Sequence, residues 1–217
     1  DRTKADALQA YEDSIEWLTR VGASQEADRM KEERDALHAG QPRELPPVSD
    51  LRKMDEALFW ELISQARAQA ETVEDQVAII NELLATVGAP DIKRFASIYG
   101  KFMRKLYHWN VWALAYAARG GCSDDAFMEF RSWLILQGDP DLLDLAIKNP
   151  TAAAQQVPKD PELPEGTLLP DIDDAYLARA KTTFEWPVID LEQPKGREWP
   201  EDRFDTLFPE LVRHYEA

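Results

Sequence analysis

Tyr107-His108-Trp109-Asn110-Val111-Trp112, then Gly120-Gly121-Cys122-Ser123-Asp124-Asp125, then Phe130-Arg131-Ser132-Trp133-Leu134-Ile135: the chain is most particular about its residues along this stretch. It holds three of the seven tryptophans, the only cysteine and the only Gly-Gly pair. Two glycines in succession end a helix in conformations that a β-carbon resists. Ser123 then supplies an N-cap oxygen, and Asp124 and Asp125 fall in the first turn, where carboxylates favour the exposed amides and the helix dipole. Phe127, Phe130, Trp133, Leu134 and Leu136 give the following helix an apolar face, and Gly138 ends it. The stretch predicts two core helices joined by a tight corner.

Upstream of the corner, Pro90 at a first-turn position opens what the periodicity predicts as one long helix over about 91–118. On a wheel of about 100° per residue, Phe95, Ile98, Tyr99, Phe102, Met103, Leu106, Trp109, Ala113, Tyr116 and Ala117 share one broad arc. Lys93, Arg94, Lys101, Arg104 and Lys105 lie opposite and form a candidate anion-binding face, or a dock for the acidic tail, where a solvated face is the simpler reading. Beyond Lys105 that basic arc continues as His108, Val111, Trp112 and Ala115, so the second half is apolar nearly all round and is expected to be surrounded. Asn110 falls within the core arc and His108 at its edge, and both need hydrogen-bond partners if buried.

Further out, Asp55 is placed to cap a helix carrying Leu58, Phe59, Leu62, Ile63 and Ala66, and Thr72 one carrying Val77, Ile80, Leu83, Leu84 and Val87. Gly88 stands where a left-handed C-terminal cap is expected. Asp139-Pro140 and Asn149-Pro150 read as cap-plus-proline helix starts, and four prolines in 158–170 mark an irregular excursion. A helix opening at Asp171 or Asp173 and running to about Phe184, loop or short strands over 186–200, and a terminal helix from Glu201 bent by Pro209 complete the core domain. Ahead of it, residues 1–40 read as a helical hairpin appendage and 41–53, with three prolines in 41–50, as a linker, which leaves 54–217 as the core domain. The expected fold class is all-α: a multi-helix globular domain with an N-terminal hairpin and few or no strands.

These residues resemble a known family, the bacterial domain of unknown function numbered 4240. The resemblance rests on Phe59-Trp60, on Tyr107, Trp109, Asn110 and Trp112, on Gly120 through Asp125, on Phe127, Phe130, Arg131, Trp133, Leu134, Ile135 and Gly138, and on Phe208-Pro209, spanning roughly 54–212. It implies membership and no reaction. It also implies an aspartate at the position of Asn110, so a catalytic base there would be disabled, whereas a buried partner for Arg131 would keep one hydrogen bond and lose its charge.

The residues that carry chemistry around the corner are Trp109, Asn110, Trp112, Cys122, Ser123, Asp124, Asp125 and Arg131. Asp124, Asp125 and Glu129 with Arg131 form a possible acid cluster, set against the plainer reading that the aspartates cap a helix and Arg131 makes a buried salt bridge. Cys122 at a helix N-terminus is a possible nucleophile with His108 as base, set against a small residue filling a corner. The aromatic residues line a ligand pocket on one reading and simply form core on the other. His38, His108 and His214 lack metal-ligand spacing, and no phosphate loop or nucleophile elbow appears, so neither metal nor cofactor is expected.

A net charge of −16, with 15 acidic against 7 basic residues in 151–217, argues against nucleic acid and for a protein partner, with a basic one suited to the charge. No apolar run reaches the ~18–20 residues of a membrane span, no signal-peptide pattern appears, and a single cysteine suits a reducing compartment, so no membrane partner and a cytoplasmic location are expected. The expected function is a protein-interaction or regulatory module, for which an acidic inhibitor or immunity-like role would suit the charge. The alternative is an enzyme or small-ligand-binding protein with its site at the corner and the following Phe-Arg-x-Trp helix.

Overall fold

The computed structural model describes residues 53–182 and 193–216. The expected hairpin over 1–40, and the linker over 41–53 apart from Lys53, lie outside them. Among the described residues every regular element is helical, and the one strand-like feature is an isolated parallel bridge between His108 and Lys195. The domain is all-α, as its periodicity predicts.

Helix α1 (Glu56–Gln69) starts at Asp55, whose carboxylate accepts the Leu58 N–H at 2.8 Å, and buries the five predicted apolar residues. Helix α2 (Val73–Ala85) starts at Thr72, whose hydroxyl accepts the Asp75 N–H at 3.1 Å. Its buried face is Gln76, Ile79, Ile80, Leu83 and Leu84, with Val77 only half-buried. Gly88 corrects the expectation of a left-handed cap: its φ is −76°, and it serves as the N-cap position of α3 (Ala89–Lys105). Val87 and Gly88 pass directly from one helix to the next, so no reversal through positive φ is needed.

The predicted helix over 91–118 is two helices. α3 ends at Lys105 and α4 (Trp109–Arg119) begins after His108, which has extended backbone at φ −146°, ψ 137°. No glycine or proline stands there. The break is closed from outside, by a Trp109 N–H donated to the Lys195 carbonyl at 2.8 Å and a Lys195 N–H donated to the Tyr107 carbonyl at 2.9 Å. Helix α5 (Asp124–Leu136) follows the corner and is the hub of the domain, packing on α1, α3, α4 and α6 (Pro140–Lys148). From Phe130 to Leu136 every one of its residues is buried.

That burial takes polar groups into the interior, where Tyr99, Ser132 and Gln76 find hydrogen-bond partners. The Tyr99 hydroxyl donates to the Ser132 hydroxyl at 2.9 Å and accepts the Leu168 N–H at 3.3 Å, so α3, α5 and the end of the 158–168 excursion meet at one oxygen. Burial pushes the Tyr99 hydroxyl up to about 12. At the far end of α5 the Gln76 amide donates to the Leu136 carbonyl at 2.7 Å, and Arg67 donates to the Gln137 carbonyl. These bonds satisfy carbonyls that a helix terminus leaves open.

After α6, the helix α7 (Pro150–Ala153) and a 3-10 turn (Ala154–Gln156) lead into the excursion. Helix α8 (Leu169–Ala180) then packs on α2 and α3 through Ile172 and Tyr176. It starts before Asp171 and stops at Lys181, in the left-handed region at φ 57°, short of the expected Phe184. The terminal helix is also divided. A 3-10 turn (Glu201–Arg203) and α9 (Phe204–Leu207) end at Phe208, and Pro209 opens α10 (Pro209–Glu216) as a first-turn residue instead of bending one helix. Phe204, Leu211 and Tyr215 anchor this end, with α10 lying on α4 and α7.

Candidate functional site

The corner itself is built as its residues predict. Gly120 and Gly121 take φ +68° and +134°, and the Gly121 N–H closes the end of α4 on the Tyr116 carbonyl at 2.9 Å. Ser123 caps α5 by accepting the Ala126 N–H at 3.3 Å. Asp124 and Asp125 are exposed in the first turn. Glu129 does not join them: its carboxylate accepts the Gly166 N–H at 3.2 Å and holds the excursion against α5.

From the corner inward runs a ladder of rings. The Trp112 indole donates to the Cys122 carbonyl at 3.1 Å, which fixes α4 to the corner. Trp112 stacks on Phe127 with centroids 4.5 Å apart, and Trp109 stacks on Trp112 at 5.4 Å and 15°. Trp199 meets Trp109 edge-on at 5.8 Å and donates its indole N–H to the Trp109 carbonyl at 2.9 Å. Trp109 and Trp112 are half-buried, Phe127 and Trp199 buried. Such offset and edge contacts contribute about 0.5–1.5 kcal/mol each beyond area burial.

Arg131 lies at the inner end of this ladder and corrects the expected salt bridge. It is only 8% exposed, donates to the Met103 carbonyl at 2.9 Å, and places its guanidinium 4.8 Å from the Tyr107 ring centroid and 5.0 Å from that of Phe127. No carboxylate pairs with it among the described residues, and its Nε has no hydrogen-bond partner. Burial lowers its pKa. The π faces and one carbonyl take the place of a counter-ion. Asn110 is not its partner either: the Asn110 amide donates to the Ile147 carbonyl at 2.7 Å, tying α4 to α6. The break in the helix turns Asn110 away from the arc on which an unbroken wheel places it.

The two groups of a possible thiol-imidazole pair are occupied elsewhere. Burial pushes the Cys122 thiol up to about 11, with Asp124 and Glu129 adding to it and Arg119 opposing it. His108 accepts the Asn110 N–H at its Nδ1 at 3.1 Å, acting as the N-cap of α4. The eight corner residues therefore divide. Ser123, Asp124 and Asp125 are exposed and Trp109, Trp112 and Cys122 half-buried, while Asn110 and Arg131 bond to carbonyls of neighbouring helices.

Basic side chains of α3 form ion pairs at the surface, one of them within the helix itself. Arg94 pairs with Asp91 at 2.7 Å, Lys101 with Glu56 at 2.6 Å and Lys105 with Asp144, while Lys93 lies 5.0 Å from the Tyr176 ring centroid. Arg104 is half-buried. The tail helix α8 packs on α3 and buries Ile172 and Tyr176. A groove of about 420 Å³ lies on the other side of the corner, between the end of α4 and α10, with Tyr116 and Phe204 in its wall and Arg119, Lys159, Asp205 and Glu216 around it. Among the described residues, no three His, Cys, Asp or Glu side chains converge as metal ligands, and no helix is long and apolar enough to cross a membrane.

Sequence reasoning missed Gln76, Ser132, Lys195, Gly196 and Trp199. Trp199, an aromatic residue before Pro200 in a polar stretch, carried the only local signal of the five. The family described as Protein of unknown function (DUF4240) matches over residues 54–185. No curated protein and no solved structure matches the chain.

Proposed function

The chain belongs to the family of proteins of unknown function numbered 4240, and we propose that it is an interaction module whose corner engages a basic partner protein. One observation carries the reading. Two stacked, half-buried indoles, Trp109 and Trp112, are tied to the corner by the Trp112 hydrogen bond to the Cys122 carbonyl, and the helix that leaves the corner opens with two exposed carboxylates, Asp124 and Asp125, on a chain of net charge −16. Half-buried indoles present apolar area at low conformational cost, and carboxylates on the same corner steer a basic surface toward it. An enzyme at the corner is disfavoured because the thiol is held up at about 11, the imidazole caps a helix and the guanidinium is sealed between rings.

A photo-crosslinker installed at Asp125 in the native cell tests this, followed by identification of the linked protein and measurement of its affinity. The expected result is a basic protein whose binding weakens with salt and falls at least about tenfold in the Asp124→Lys/Asp125→Lys variant. A partner that binds this variant as tightly as the wild type, or no crosslink beyond that of a probe at Gln155, overturns the reading.

A further inference from the structure

Residues 193–199 lie across the start of α4, and one side chain touches both. The backbone of Lys195 bridges Tyr107 and Trp109 through bonds of 2.9 and 2.8 Å. Gly196, at φ +88°, lies so close to the imidazole of His108 that a β-carbon there would stand 2.5 Å from Cε1 and 2.8 Å from Nε2. Trp199 then donates to the Trp109 carbonyl and covers the edge of its ring. The same imidazole caps α4 by accepting the Asn110 N–H at Nδ1.

A ring nitrogen that accepts a backbone N–H is unprotonated. When Nδ1 takes a proton it becomes a donor pointed at another donor, and the cap is lost. The new cation also stands beside Lys195, and among the described residues no carboxylate forms an ion pair with it. The 193–199 segment brings Lys195, Arg197 and the exposed Glu198. The end of α3 brings Arg104 and Lys105, the latter already paired with Asp144. From α6 come Asp144 and Lys148, bonded to each other at 3.0 Å, and from α5 the buried cation Arg131 near Tyr107. No carboxylate pairs with His108 among the described residues.

We propose that His108 is a pH-operated latch. Neutral, it holds residues 193–199 on the start of α4; protonated, it lets them go and uncovers the Trp109 ring. The latch stands on this geometry alone. Its consequence for partner binding rests on the interaction reading above. Burial and Lys195 hold the latched pKa below the ordinary 6.5. The latch is therefore fully closed above about 6.5 and weakens as pH falls through the lower latched value. Between the two values the opening constant rises by at most about tenfold per pH unit, and it levels off below.

The test is amide hydrogen exchange on the full chain between pH 7.5 and 5, corrected for the intrinsic pH dependence, with the His108 imidazole followed by NMR. Protection of the Trp109, Asn110 and Lys195 amides is expected to fall in step with the imidazole titration, while Phe130 and Leu134 stay protected. His108→Asn keeps a capping oxygen that does not titrate in this range and should make the protection flat with pH. His214→Asn should leave the transition in place. Titration of His108 with unchanged Trp109 and Lys195 protection, or an unaltered transition in His108→Asn, overturns the latch. The wild-type experiment decides even if that variant fails to fold. If the amides respond but the affinity of the crosslinked partner does not change with pH, the latch stands and its link to binding fails.

Discussion

Two interruptions divide the middle of this molecule, one at Gly120-Gly121 and one at Leu106–His108, and they are made by opposite means. At the first, everything needed is local: two positive-φ glycines, a serine cap three residues on, and an N–H that closes back onto Tyr116. At the second, the residues themselves favour continuing, and the break is held by the backbone of Lys195, by Gly196 against the imidazole and by the Trp199 indole. A local interruption resists distant changes. A tertiary one is only as strong as the segment that makes it, and this is why it lends itself to control.

Gly196→Ala should undo the tertiary interruption and leave the local one in place. A β-carbon would overlap His108 and sit at unfavourable φ, so a loss of about 2–4 kcal/mol is expected in urea unfolding, with loss of Trp109 amide protection. Wild-type stability and protection in this variant would mean that the segment does not hold the break. Gly121→Ala should cost about 1–3 kcal/mol from backbone strain alone, because nothing lies within 4 Å of the added carbon, and it should leave Trp109 protection unchanged. Loss of that protection would show that the two interruptions are coupled. Ser123→Ala removes one cap and is expected to cost about 1 kcal/mol, read as a shift in the urea midpoint at constant slope. The smallest effect is on reactivity: alkylation of native Cys122 should remain slow at neutral pH and rise toward a midpoint at about 11, well above the ordinary thiol. A rate that saturates near neutrality would return the corner to the enzyme reading.

Much of the fold was legible because its signals are local. Asp55, Thr72, Ser123, Asp139 and Asn149 each cap the helix they precede, and the faces of α1 and α5 follow from spacing alone. The candidate site was legible only as a list of residues. An arginine beside aromatic residues reads equally as one half of an ion pair or as a cation on rings, and the choice between them depends on what the opposing helix presents. For Arg131 it presents Met103 and Tyr107. Asn110 was misplaced for a related reason: the wheel that put it in the core arc assumes an unbroken helix from Phe95 to Tyr116, and the break resets the phase.

The all-α class, the helix starts after Asp55, Thr72, Ser123, Asp139 and Asn149, the glycine corner and the apolar faces of α1 and α5 follow from the amino-acid sequence alone, since caps, glycine conformations and periodicity act within a few residues along the chain. Only the tertiary structure decided where the long helix breaks, that Arg131 has rings in place of a counter-ion, and that His108 joins the start of α4 to the segment around Lys195. Those outcomes depend on donors, acceptors and faces brought together from distant parts of the chain. No local propensity encodes them, because at each of these positions the competing local conformations differ by less than the contacts that select between them.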